Sequence, residues 1–267
     1  MSLTVTDRKE RRSLRTLLQP LDDLVRRSDH VFPAHLSFND VMGIQNILPK
    51  YLFAGPGERG NYLRVGIFAG IHGDEESGVL AAAKLIENLH RNPERARGYE
   101  IFIYPVCNIR GYVDDVRWSR SGRDLNREFW SGSEEAEVQV LEGQLRKLRF
   151  DGLIALHTDD SSEGLYGFVK GHELTRHVLE PALEAAGNIL PRNFDKSIDN
   201  FEANNGIIEQ GYEGILSAPP EQKPKPFEIV FETPHRAPLD LQIEAHLVAV
   251  QTILDRFKVL ISEGQNI

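Results

Sequence analysis

Short, nearly unbroken apolar runs alternate along this chain with segments of helical periodicity, and that alternation restricts the folds open to it. Leu63–Ala69, Glu100–Val106, Gly152–Leu156 and Phe227–Phe231 are too short for helices and too uniformly apolar for strands with one wet face. Such runs read as strands covered on both sides. Two further strands are expected near Ile47–Phe53 and Leu165–Lys170. Between them, residues 8–28, Ser77–His90, Glu134–Leu148, Glu173–Ala186 (interrupted at Pro181) and Leu241–Leu260 carry apolar residues at helical spacing. The order implies an α/β fold, a mixed, mostly parallel central sheet with helices on both faces. Residues 187–226 are rich in glycine and proline and read as irregular, and Asn108–Trp130 as a polar loop region.

No linker or repeat divides the 267 residues, so a single catalytic domain is expected, with a core over about 63–260 and an N-terminal helical extension over about 1–30. A formal net charge of -9 argues against a broad nucleic-acid surface. One cysteine, Cys107, rules out an internal disulfide framework, and its run IFIYPVC marks it as a small buried residue. The charged N-terminus lacks the apolar stretch of a signal peptide, and no run is long enough to span a bilayer, so a cytoplasmic location without membrane contact is expected. The segment GPGERG, Gly55–Gly60, matches the dinucleotide pattern letter for letter, but a strand-like run follows where that fingerprint needs a helix. It reads instead as a hairpin turn.

Four places carry chemistry. In GIFAGIHGDEESG, His72 and Glu75 lie just beyond an apolar strand, where open α/β sheets place their ligands. Imidazole and carboxylate both suit zinc, and Gly70 and Gly73 let the backbone turn tightly. In isolation this pattern is no more than a polar turn whose acidic cluster favours the next helix. RWSRSGRDLNREF gathers Arg117, Arg120, Arg123 and Arg127, forks suited to carboxylates, beside Asn126. A solvated charge run is the plain alternative. His157 ends the apolar strand LIALH, and two histidines with one glutamate leave a fourth tetrahedral position open, as catalytic zinc sites do. Glu232 ends the apolar strand in FEIVFETP, where a carboxylate needs a partner or a task. HELTRH is a decoy: five residues separate His172 from His177, about 140° around a helix, so they share no face.

His72-x-x-Glu75, then Asp124-Leu125-Asn126-Arg127, then strand-final His157 and strand-final Glu232 resemble, in that order, the zinc carboxypeptidases and the related succinylglutamate desuccinylase and aspartoacylase family. The likeness spans roughly Leu63 to Leu260, and D-L-N-R-x-F is its most specific element. The resemblance implies a carboxypeptidase-like, phosphorylase/hydrolase-like fold and one zinc ion per chain held by His72, Glu75 and His157. It implies Glu232 as general base, Asn126 and Arg127 as the grip on a substrate carboxylate, and an arginine ahead of D-L-N-R to polarise the scissile carbonyl. Arg120 is taken for that role over Arg117 and Arg123. Tyr212, with Tyr166 as the other candidate, is taken for the tyrosine that covers the substrate.

Position 74 is Asp where digestive carboxypeptidases carry an arginine, which looks more like the deacylase branch, yet little beyond one helix follows Glu232, where aspartoacylases carry a further β domain. The expected activity is zinc-dependent hydrolysis of an amide next to a free carboxylate, on a short peptide. N-acyl amino acid deacylation is the alternative enzyme, and non-catalytic binding of a carboxylate ligand is the alternative outside enzymes.

Overall fold

A computed structural model describes residues 11–40, 42–57 and 62–264. Its strands, in chain order, are β1 (Val31–Asn39), β2 (Gln45–Ala54), β3 (Leu63–Ala69), β4 (Tyr99–Tyr104), β5 (Gly152–Asp159), β6 (Tyr166–Val169), β7 (Ser197–Ile198), β8 (Phe201–Glu202), β9 (Ile207–Ile208) and β10 (Phe227–Pro234). Eight of them form one sheet in the order β1-β2-β4-β3-β5-β10-β6-β9, and β7 pairs with β8 apart from it. The middle, β4-β3-β5-β10, is parallel throughout. Antiparallel pairings flank it, β1 with β2, β2 with β4, and β10 with β6. The expected mixed α/β sheet is therefore present.

The helices are α1 (Leu14–Val25), α2 (Glu76–Arg91), α3 (Ile109–Asp114), α4 (Ala136–Leu148), α5 (His172–Leu174), α6 (Glu180–Ala186) and α7 (Leu239–Gly264). A π turn over Thr175–Leu179 joins α5 to α6, so the helix expected over Glu173–Ala186 runs on with a local widening. Pro181 falls in the first turn of α6, where a missing N–H costs least. Helix α7 buries Gln242, Ala245, His246, Ala249, Val250, Ile253, Leu254 and Phe257, a pattern in which neighbours three and four residues apart keep one stripe against the sheet. Each fully buried Ile, Leu or Phe of that stripe contributes about 1.5–3 kcal/mol.

Strand β4 shows that both faces are covered. Tyr99 donates its hydroxyl to Leu254 O of α7 at 2.6 Å, while Tyr104, of opposite parity, reaches Gln144 of α4 at 3.4 Å. Strand β5 is buried through seven of its eight residues. Strand β10 differs. Phe227, Ile229 and Phe231 are buried on the α7 side, whereas Glu228, Val230 and Glu232 are only half-buried on the other. On that second side the sheet is left open as the floor of a cavity.

Two expectations need correction. Strands β2 and β3 lie on either side of β4, so the turn after β2 is a crossover and not a hairpin; part of GPGERG, residues 58–60, lies outside the described residues. The true hairpin joins β1, absent from the sequence reading, to β2. Its turn is organised by Asp40, whose Oδ1 accepts the N–H groups of Met42 and Ile44 at 2.9 Å each. In addition, α3 folds within the stretch read as polar loop, with Asn108 Oδ1 accepting from Gly111 N at 2.8 Å as its N-cap. Cys107 is fully buried as expected.

Candidate active site

The loop after β3 must reverse sharply to deliver two side chains to the sheet edge. Gly70 does so at φ +61°, a left-handed conformation that favours glycine. Gly73 is needed for closeness: a Cβ there would lie 1.9 Å from the carbonyl carbon of Gly111 in α3. Arg12 braces the same loop from the N-terminal segment, donating to Gly73 O at 2.8 Å and pairing with Asp115 at 2.6 Å.

His72 and Glu75 from this loop meet His157 from β5. All three are buried, at 4 %, 5 % and 2 % exposure, and their donor atoms lie within 4.8 Å of one another. Glu75 is the hinge of the group. Its Oε1 lies 2.5 Å from His72 Nδ1, and its Oε2 lies 2.9 Å from His157 Nδ1 and accepts the Thr158 N–H at 3.1 Å. His72 Nε2 sits 3.0 Å from Asp124 Oδ1, which fixes the ring from behind and turns Nδ1 toward Glu75 and the point where a metal would sit. Two buried imidazoles and a buried carboxylate converging on one point fit a divalent metal, and the N₂O donor set is one that zinc takes.

The electrostatics follow from this crowding. Burial opposes charge on His72, but Glu75 and the Asp124 hydrogen bond outweigh it and hold the ring up at about 9. Burial likewise opposes charge on Glu75 and Asp124. The two histidines hold Glu75 far below the ordinary carboxylate range, and His72 with Arg117 does the same for Asp124.

Glu232 is the register partner of His157 across the parallel β5–β10 pair, and of Tyr166 across β10–β6. Adjacent strands lie about 4.8 Å apart, so its carboxyl stands beside the triad on the same face. Burial, then the charges of Glu75, Asp159 and Asp199, push its pKa well above that of a free glutamate. Among the described residues no hydrogen bond engages it.

These groups open onto a cavity of about 410 Å³. Asn126 and Arg127 line it, from a short 3-10 turn over Leu125–Arg127 whose start is capped by Asp124 Oδ1 accepting from Asn126 N at 2.9 Å. Asn126 Oδ1 accepts the Leu216 N–H at 2.9 Å, and the Arg127 guanidinium lies 3.9 Å above the Tyr212 ring. Tyr212 lines the cavity too, with its hydroxyl donated to Asp199 Oδ1 at 2.9 Å. Through Asp199, Tyr212 and Ile215 the segment read as irregular supplies one wall. Tyr166 is fixed within the floor, donating to Asp159 Oδ2 at 2.9 Å.

The structure does not bring Arg120 to this site. Its guanidinium pairs with Asp40 at 3.3 Å in the β1–β2 turn, and it does not line the cavity. Arg117, not Arg120, is the member of that arginine run which reaches the cavity beside the triad. It holds Asp124 Oδ2 at 2.9 Å, lies 3.6 Å from Glu75, and lines the cavity. Three other residues escaped the sequence reading. Asp124 was visible within D-L-N-R, but its contact with His72 spans 52 residues. His235 lines the cavity from the end of β10, and His246, 0 % exposed, lies directly behind the site.

A buried His-Glu-His cluster at the carboxyl edge of such a sheet is a group that could hold a metal ion. Residues 61–194 match the succinylglutamate desuccinylase/aspartoacylase catalytic domain, and the chain belongs to that family. No match among curated proteins accompanies that assignment. Among solved structures, a presumed metallopeptidase from Shewanella amazonensis shares the fold at TM-score 0.77 and 19% identity, over 91% of this chain and 92% of its own. A metallo-carboxypeptidase from Burkholderia cenocepacia aligns at TM-score 0.70 and 16% identity, over 92% and 68%. Bovine thrombin-activatable fibrinolysis inhibitor, in complex with a tick carboxypeptidase inhibitor, aligns at TM-score 0.63 and 17% identity, over 92% and 96%.

Proposed function

We propose that this protein is a zinc-dependent hydrolase that cleaves an amide bond adjacent to a free carboxylate. The observation that carries the reading is the convergence of buried His72, Glu75 and His157 beside Glu232, in a cavity that also holds Asn126 and Arg127. His72, Glu75 and His157 would hold the zinc, which would supply a Lewis acid for a carbonyl and for water. Asn126 and Arg127 bind the substrate carboxylate, with the Arg127 fork pre-set by its stacking on Tyr212. Glu232 takes the proton of the attacking water and returns it to the departing nitrogen. Arg117, oriented by Asp124, faces the developing oxyanion. Tyr212 covers the bound substrate.

Both a short peptide and an N-acyl amino acid present the required amide and carboxylate. The fold neighbours support the peptidase reading, and the family match favours the deacylase as a second one. A panel of dipeptides and N-acyl amino acids separates them by which set is turned over. Glu232→Gln is expected to lower kcat by about 10²–10⁴-fold, the share of a general base, with zinc content unchanged by elemental analysis. Turnover that survives this substitution removes the assigned base.

A further inference from the structure

Strand alternation has a second product at this site. His157 and Glu232 point into the cavity, so the next residues, Thr158 and Thr233, point through the sheet to its opposite face. There they meet Ser77, two residues after Glu75 in the first turn of α2, and His246 of α7. Ser77 Oγ lies 2.6 Å from Thr158 Oγ1, 3.4 Å from Thr233 Oγ1 and 3.3 Å from His246 Nε2. Thr233 Oγ1 lies 3.3 Å from Thr158 Oγ1, 3.2 Å from His246 Nε2 and 3.4 Å from the backbone carbonyl of His157. All four residues are buried, at 1 % exposure for Ser77, 8 % for Thr158 and 0 % for Thr233 and His246.

We infer that Ser77, Thr158 and Thr233, gathered around His246, form a positioning cluster that sets Glu232 relative to the metal triad. Each hydroxyl residue lies close in sequence to one functional group: Ser77 two residues after Glu75, Thr158 directly after His157, and Thr233 directly after Glu232. The Thr158 backbone closes the circuit by donating to Glu75 Oε2 at 3.1 Å. The cluster thus ties α2, β5 and β10 together by side chains on the sheet face opposite Glu232, with Thr158 also bordering the cavity.

Its polarity is costly for a purely structural core. His246 Nδ1 is buried with no hydrogen-bond partner among the described residues, and an unpaired buried polar atom destabilises a fold where an apolar side chain of similar shape does not. A hydrophobic plug would hold α2, β5 and β10 together; directional hydrogen bonds also fix their register. Hydrogen-bonded supports behind metal ligands are typically worth about 10–100-fold in metal affinity or activity.

The inference rests on the hydrolase reading, and the test separates the two. Thr233→Val keeps the shape and deletes the hydroxyl; Thr233→Ser keeps the hydroxyl; Ser77→Ala removes the hub. Each is compared with wild type for melting temperature, zinc dissociation constant by chelator competition, and kcat and KM on the best-cleaved member of the dipeptide and N-acyl panel. Thr233→Val and Ser77→Ala are expected to lose about 10–100-fold in kcat or zinc affinity, with KM within about twofold, as when only transition-state stabilisation is lost. Thr233→Ser is expected to retain both. Folded Thr233→Val and Ser77→Ala proteins that match wild type in kcat and zinc affinity overturn the cluster's role. So does a loss that only tracks the folded fraction, or one that Thr233→Ser shares. A wild-type protein that holds no zinc and cleaves nothing overturns the hydrolase reading itself, and the inference with it.

Discussion

Two arginines three residues apart, Arg117 and Arg120, are nearly equivalent in the sequence and wholly different in the structure, which makes their paired replacement a sharp test. Arg117 is fixed by two nitrogens on Asp124 Oδ2, at 2.9 and 3.3 Å, and lines the cavity beside the triad. If it faces the oxyanion, Arg117→Met removes one pre-aimed donor, a loss of about 10²–10³ in kcat or roughly 3–4 kcal/mol of transition-state stabilisation. Arg120 contributes a contact of 3.3 Å to Asp40 and donates Nε–H to Met42 Sδ at 3.0 Å, while the Asp40 carboxyl keeps the N–H groups of Met42 and Ile44 and the amide of Asn46 without it. Arg120→Met therefore costs no more than about 1 kcal/mol of stability, the ordinary worth of a partly exposed ion pair, and leaves kcat within about twofold. Both variants are assayed for kcat and KM on the same substrate, with zinc content and urea midpoints measured alongside. A variant pair in which Arg120→Met is the more damaged in kcat, or in which Arg117→Met affects only KM, refutes the assignment.

Other expectations can be checked together. Removing the metal with a chelator should lower the melting temperature by roughly 5–11 °C for a metal present at about 100-fold over its dissociation constant, since that occupancy is worth about 2.7 kcal/mol and each kcal/mol moves a chain of this size by about 2–4 °C; His72→Ala should melt low with or without chelator. Gly73→Ala forces a methyl to 1.9 Å from Gly111 and should cost about 1–3 kcal/mol or more in urea unfolding, with weakened zinc retention. His246, held down to about 3 by burial and then by His157, refuses a proton that the unfolded chain accepts below about 6.5. Its contribution is intact above about 6.5 and is lost as pH falls toward 3, at about 1.4 kcal/mol per pH unit, so between pH 7 and pH 5 wild type should lose about 2 kcal/mol more than His246→Leu. Equal losses in the two proteins would contradict the buried neutral imidazole.

The strands of the parallel centre were legible because burial on both faces writes continuous apolar runs into the sequence, as in Val65–Ala69 and Leu153–Leu156. Helices α2, α4 and α7 were legible from their spacing. Strand β1 was not, because it is a mostly exposed edge strand whose alternation is confined to Ala34–Phe38, directly after Pro33. The meeting of His72, Glu75 and His157 was expected because strand ends in such sheets are where side chains converge, and the structure brings their donor atoms within 4.8 Å. Arg120 was misplaced because spacing along a loop says nothing about which way a guanidinium turns; Asp40, 80 residues earlier, decides it. His246 escaped for the complementary reason: on a helical stripe it looks like any core residue, and its partners come from α2 and β10.

Arg12 has a practical bearing on how this protein should be handled. The family match begins at residue 61, yet the brace on Gly73 O comes from residue 12, and β2, which shields the outer side of β4, ends at residue 54. Trimming an expression clone to the homologous segment would strip away that brace and bare an unpaired β4 margin prone to self-association. An inert truncated product would then report on careless surgery at its front end, not on the chemistry of the enzyme.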